Sequence, residues 1–188
     1  VSANGNRLEQ AVAGAQRLLQ EGKPAEACAS FERVLKDAPL HPIALKLGAV
    51  AAFQSGDGAR SVEMLETAIA HVPEDHEAHF NLGVVYQSSG VLDAALACFS
   101  RAARLSPESA DAHYNAATAL HELGRSDEAV TTYRHAIDAN ARYAPAYAGL
   151  AYALRGLGRL EEALTAYENA VALAPHDAQA RSGYGITL

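Results

Sequence analysis

His76 and His79 stand three residues apart behind Glu74 and Asp75, and His79 recurs as His113 thirty-four residues further on. Imidazole and carboxylate groups at such spacing can ligate a borderline metal such as zinc. The chain has no His-Glu-x-x-His sequence, however, and His76 falls where a helix should begin, so structural roles are expected for these histidines. Ser109, Asp111 and His113 offer the residue types of a hydrolytic nucleophile, its orienting carboxylate and its base. They are merely close in sequence, and this spacing does not make a nucleophile and base oriented by the third group. Cys28 and Cys98, seventy residues apart, match neither a zinc spacing nor a disulfide framework. They are expected as small packing residues in a reducing compartment, the cytoplasm. No catalytic, cofactor-binding or metal-binding residue is assigned, and this chain is read as non-enzymatic, with a longer parent protein left open.

These residues occupy places in a period. Leu82-Gly83, Tyr86, Gly90, Ala95, Phe99, Ala102 and Pro107 are followed thirty-four residues later by Ala116-Ala117, Leu120, Gly124, Ala129, Tyr133 and Ala136. A third copy reads Leu150-Ala151, Leu154, Gly158, Ala163, Tyr167, Ala170 and Pro175. A fixed period of this length means units that pack against their neighbours instead of around one core. The chain therefore reads as a single array over residues 1–188, with units 8–41, 42–75, 76–109, 110–143 and 144–177. Residues 178–188 form a terminal helix or a truncated sixth unit.

Each unit predicts two helices. In the third, Glu77 to Ser88 carries apolar residues at helical spacing, Ser89-Gly90 makes a turn, and Leu92 to Leu105 repeats the pattern. Gly22, Gly56, Gly90, Gly124 and Gly158 hold the turn, where a left-handed backbone is expected. Pro39, Pro73, Pro107 and Pro175 stop second helices, and Asp75, Ser109 and Asp177 are N-cap candidates. Ala141 takes the proline place in the fourth unit, which predicts a looser or slightly longer helix end.

Composition narrows the partners. Lys and Arg number 15 against 22 acids, a formal charge of −7. No basic stripe is wide enough to displace counterions from a phosphate backbone, so nucleic acid is not expected. No stretch approaches eighteen apolar residues, and membrane insertion is not expected either. Val1 in place of a methionine and Leu188 in mid-pattern read as the ends of a processed chain or a fragment.

The spacing resembles the tetratricopeptide repeat, with Leu-Gly/Ala and Tyr on the first helix and Ala, Phe/Tyr, Ala and Pro on the second. The third and fifth units match best. The first has Ala15 and Leu18 at the Gly and Tyr places, and the second has Ser61 and Leu65 where Ala and Phe are usual. The resemblance implies an all-α fold, a right-handed superhelix (α-solenoid) of antiparallel helix pairs whose first helices line a concave groove. It implies a protein or peptide as partner, and no cofactor.

Carried onto this sequence, the family's inward places are Lys46, Val50 and Phe53, then Glu77, Phe80, Asn81 and Val84. Asp111, Tyr114, Asn115, Thr118, Tyr152 and Arg155 follow, with Ile43, Leu47, Gln87, His121, Glu122 and Gly149 beside them. Aromatic rings there supply contact area, and Asn81 and Asn115 supply donors and acceptors for a peptide backbone. The recurring asparagine resembles the ladder in the repeat arm of O-linked N-acetylglucosamine transferases, although Leu47 and Gly149 interrupt it. A clamp for a terminal carboxylate is not expected, because Lys46 and Arg155 are far apart in repeat order and acids intervene. A protein-interaction module is therefore the leading expectation. A substrate-recognition arm of a larger glycosyltransferase or sulfotransferase, and a scaffold self-associating through its terminal repeats, remain alternatives.

Overall fold

The computed structural model describes residues 3–188, which form eleven α-helices with no strand among them. They gather in two compact units that divide between Ser89 and Gly90, inside the third repeat. The first unit carries α1 (Ala3–Gln20), α2 (Pro24–Asp37), α3 (Pro42–Gln54), α4 (Gly58–His71) and α5 (His76–Ser88). The second carries α6 (Leu92–Leu105), α7 (Ala110–Glu122), α8 (Ser126–Ala139), α9 (Ala144–Gly156), α10 (Leu160–Leu173) and α11 (Ala178–Thr187). The first helix starts at Ala3, ahead of the repeat boundary expected at residue 8.

The turns inside repeats close by one device. Gly22, Gly56, Gly90, Gly124 and Gly158 all adopt positive φ, from 72° to 91°, the left-handed region that side chains resist. The following amide then reaches back five residues, from Arg125 to Leu120 O at 2.9 Å and from Arg159 to Leu154 O at 3.0 Å. Carbonyls left open at the helix end are satisfied this way and the chain reverses.

Junctions between repeats use caps. The side chains of Asp75, Ser109 and Asp177 accept backbone amides at the starts of α5, α7 and α11, and His41 Nδ1 does so for α3; Asp57 caps α4 in the same way inside the second repeat. The longer helix end expected from Ala141 does not occur: α8 has 14 residues, as α2, α4, α6 and α10 do. Asn140 leaves the helix in extended conformation, and its Oδ1 accepts the Arg142 amide at 3.0 Å. This side-chain turn stops the helix where proline does elsewhere.

A further bond ties three junctions. His79 Nε2 lies 3.0 Å from Pro73 O and His113 Nε2 lies 3.1 Å from Pro107 O. Tyr147, one period on, donates its hydroxyl to Ala141 O at 3.3 Å. The recurring histidine thus clasps the preceding turn.

Packing relies on small residues. In the first unit Phe31 is fully buried among Val12, Ala15, Ala27, Val34 and Ala44. A Cβ on Gly48 would stand 3.1 Å from Phe31 Cβ and 3.2 Å from Met64 Sδ, so glycine sets how closely α3 meets α2 and α4. In the second unit Ala117, Leu120, Val130, Tyr133, Leu154 and Tyr167 share one core. At the end of the chain α11 packs on α9 and α10, and Tyr167 is left 3% exposed.

Candidate functional site

The first helices of the repeats carry every residue assigned to the groove, and each unit presents its own share. In the first unit Lys46 and Val50 of α3 and Phe80, Asn81 and Val84 of α5 are partly exposed, as is Phe53 at the end of α3. Lys46 Nζ donates to Glu77 Oε2 at 2.6 Å and to Asp75 Oδ2 at 3.0 Å. Burial opposes the charge on both Lys46 and Asp75, but the bonds of Lys46 to Glu77 and Asp75 win. The lysine is raised above its ordinary range, and the aspartate is held below its own with help from the Ala78 amide. The charges of Lys46 and Glu77 are therefore paired with each other across α3 and α5.

In the second unit α7, α9 and α11 frame a cleft of about 590 Å³. Of the predicted residues it gathers Tyr114, Thr118 and His121 with Glu122, Gly149, Tyr152 and Arg155. It adds Tyr133 and Tyr167 from second helices, and Pro145, Gln179, Gly183 and Ile186 from the rim. Asp111 and Asn115 are not part of its wall. Asp111 Oδ1 accepts the Tyr143 hydroxyl at 2.6 Å, and Asn115 Nδ2 donates to Asp111 O of its own helix at 2.8 Å.

Aromatic contacts fix the wall. The Tyr114 ring lies 5.8 Å from Tyr133 and 5.7 Å from Tyr143, and His121 meets Tyr152 edge-on at 5.1 Å. The Arg155 guanidinium stands 5.3 Å from the Tyr152 ring centroid, within cation–π range. Tyr152 is 52% exposed, so part of it remains accessible to a guest. The Tyr133 hydroxyl pairs with Thr118 Oγ1 at 3.2 Å, and burial pushes its pKa up to about 12.

Tyr133 and Tyr167 were not among the predicted groove residues because their helices belong to the outer layer. The signal that could have found them is Gly149 and Gly183, each one step into the next first helix. A Cβ at Gly149 would stand 2.5 Å from Tyr133 Cε1, and one at Gly183 2.5 Å from Tyr167 Cζ. Missing side chains on the inner helices let the phenols through.

The residues that invited catalytic or metal readings are committed elsewhere. Ser109 Oγ accepts the Ala112 amide, Asp111 binds Tyr143, and His113 faces Pro107 O. Among the described residues no group of three or more His, Cys, Asp or Glu could hold a metal ion. No described helix is long and apolar enough to cross a membrane.

Sequence models of the tetratricopeptide repeat match residues 18–83, 85–145 and 144–177. The chain belongs to the tetratricopeptide-repeat family. Tetratricopeptide repeats serve generally as protein–protein interaction modules. No curated protein matches the chain in sequence. Among solved structures it is similar to MamA, at 22% identity and TM-score 0.80, over 88% of this chain and 96% of that one. It is also similar to YrrB, described as a tetratricopeptide-repeat protein with an unusual peptide-binding site, at 18% identity and TM-score 0.79 over 98% of both chains. TTC0263, a thermophilic protein of Thermus thermophilus, is 26% identical, with TM-score 0.69 over 96% of this chain and 98% of that one. The fold is the all-α solenoid of paired antiparallel helices that these tetratricopeptide-repeat proteins share.

Proposed function

We propose that the second unit binds a peptide segment of neutral or basic character in the cleft framed by α7, α9 and α11. The observation that carries this reading is the cleft itself. Its volume of about 590 Å³ lies within the usual range for ligand pockets, roughly 300–1,000 Å³, and four tyrosines line it. Tyrosine gives rigid contact area with a polar tip, the combination that dominates recognition surfaces. Two carboxylates, Glu122 and Asp177, stand at the cleft against one guanidinium, Arg155, and the whole chain is acidic by seven charges. That balance favours encounter with a neutral or basic segment.

Selection of displayed random twelve-residue peptides on the immobilised protein, followed by calorimetry with a selected peptide, tests the reading. Replacing Tyr152 by alanine should weaken binding by at least about tenfold, the loss typical of a central tyrosine anchor, with circular dichroism unchanged. Failure to select any peptide, or equal affinity in the Tyr152→Ala variant, overturns it.

A further inference from the structure

The second unit repeats one substitution pair. Where the second helix carries Phe99, the inner place one step on is Asn115; where it carries Tyr133 or Tyr167, that place is Gly149 or Gly183. The geometry gives the reason, since the phenol tip occupies the space a side chain at the glycine would need. A Cβ on Gly183 would stand 2.6 Å from the Tyr167 hydroxyl oxygen, and one on Gly149 would stand 2.9 Å from that of Tyr133. Polar groups therefore reach the inner surface from the outer layer of helices.

The two hydroxyls differ in what they meet. Tyr133 is paired with Thr118 Oγ1. One period later the residue in the Thr118 place is Tyr152, and the Tyr167 hydroxyl has no hydrogen-bond partner among the described residues. It lines the cleft beside Tyr152, Arg155 and Gly183. A hydroxyl that lines an open cleft and has no protein partner is placed to pair with an acceptor on a guest.

We propose that the Tyr167 hydroxyl, reaching the cleft through the gap left at Gly183, donates the hydrogen bond that fixes a main-chain carbonyl of the bound segment beside Tyr152. This rests on the peptide-binding reading above and names the group that sets the segment's register. Burial raises the phenol's pKa, against an opposing effect of Arg155, so at neutral pH the group is a donor and selects an acceptor. A ring locked in the core orients that donor more firmly than a surface amide on a free stem, because little rotamer freedom is left to lose on binding.

The test uses the full chain and a peptide selected on it, with a scan in which single peptide amides are replaced by esters to weaken one carbonyl acceptor at a time. Tyr167→Phe should lower affinity about five- to tenfold, as expected for a hydrogen bond between neutral partners. One ester should weaken binding to the wild type and cost nothing further in Tyr167→Phe, the signature of a direct pair. Unchanged affinity in Tyr167→Phe, with binding still lost in Tyr152→Ala, overturns this assignment and leaves the cleft reading intact. Full affinity in both variants overturns both. Loss of binding in Tyr167→Phe with additive ester effects at every position also overturns the assignment, since the phenol then acts through the wall and not on a carbonyl.

Discussion

Lys46 Nζ lies 3.0 Å from Asp75 Oδ2 while Asp75 Oδ1, 3.0 Å from the Ala78 amide, caps α5. One carboxylate thus joins α3 to the start of α5, with side chains only 20% and 15% exposed. The aspartate's pKa is lowered on folding, so its contribution is present above the unfolded value, about 3.9, and is lost as pH falls through the folded one. The lysine's is raised, so its contribution holds below about 10.4 and is lost as pH rises through the folded value. Urea unfolding across pH should show a plateau between these limits, and Lys46→Met should flatten the alkaline flank. Asp75→Ala should cost about 1–2 kcal/mol at pH 7 through the lost cap and the lysine left half-buried without it. A variant as stable as the parent removes the role assigned to this pair.

Ser61 occupies the place held by Ala27, Ala95, Ala129 and Ala163 in the other repeats, is fully buried, and its Oγ has no hydrogen-bond partner among the described residues. Ser61→Ala should raise stability by about 1–3 kcal/mol, since it removes a desolvated hydroxyl and leaves almost the same volume. Chemical denaturation with an unchanged slope and a higher midpoint is the expected readout; a lower midpoint means the hydroxyl is satisfied after all.

Two kinds of glycine occur inside these helices, and alanine should separate them. Gly14 in α1 has open space where a Cβ would go, so Gly14→Ala should stabilise by about 0.5–1 kcal/mol through helix propensity. Gly149→Ala drives a Cβ into the Tyr133 ring and should cost about 1–3 kcal/mol by overpacking. Combining it with Tyr133→Leu, the residue type at the equivalent Leu65, should show a favourable coupling in a double-mutant cycle. Additivity would mean that ring and glycine are independent.

Repeat positions that pack by size were legible in the sequence, because a thirty-four-residue period shows which residues share an environment. The turn glycines, the caps at Asp75, Ser109 and Asp177, and the two-helix units follow from local rules that each repeat obeys separately. What the period hides is where repeats differ. Asn140 replaces a proline by a side-chain turn, and Gly149 matters only because Tyr133 stands sixteen residues earlier on another helix. Asn115 reads as an open amide in sequence, yet its donor bonds to Asp111 O one turn back, a choice of rotamer that spacing does not encode. The histidines invite metal chemistry by type, whereas His79 and His113 are bonded to carbonyls that no side-chain pattern reveals.

The buried phenol of Tyr133 gives a last measurable consequence. Burial raises its pKa to about 12 from the ordinary 10.0, with the Thr118 hydroxyl partly opposing the shift. The neutral phenol is the form the fold accepts, so its contribution to stability is complete below pH 10 and is lost as pH rises toward 12. Alkaline difference absorbance should show a tyrosine that ionises late, in step with loss of helical circular dichroism. Tyr133→Phe should lessen that late component, to which the raised phenols of Tyr143, Tyr167 and Tyr184 also contribute, and reduce the fall in stability above pH 10, at the cost of about 0.5–1.5 kcal/mol at neutral pH for the lost bond to Thr118. An unaltered alkaline transition in Tyr133→Phe would show that another group, not this phenol, governs unfolding in base.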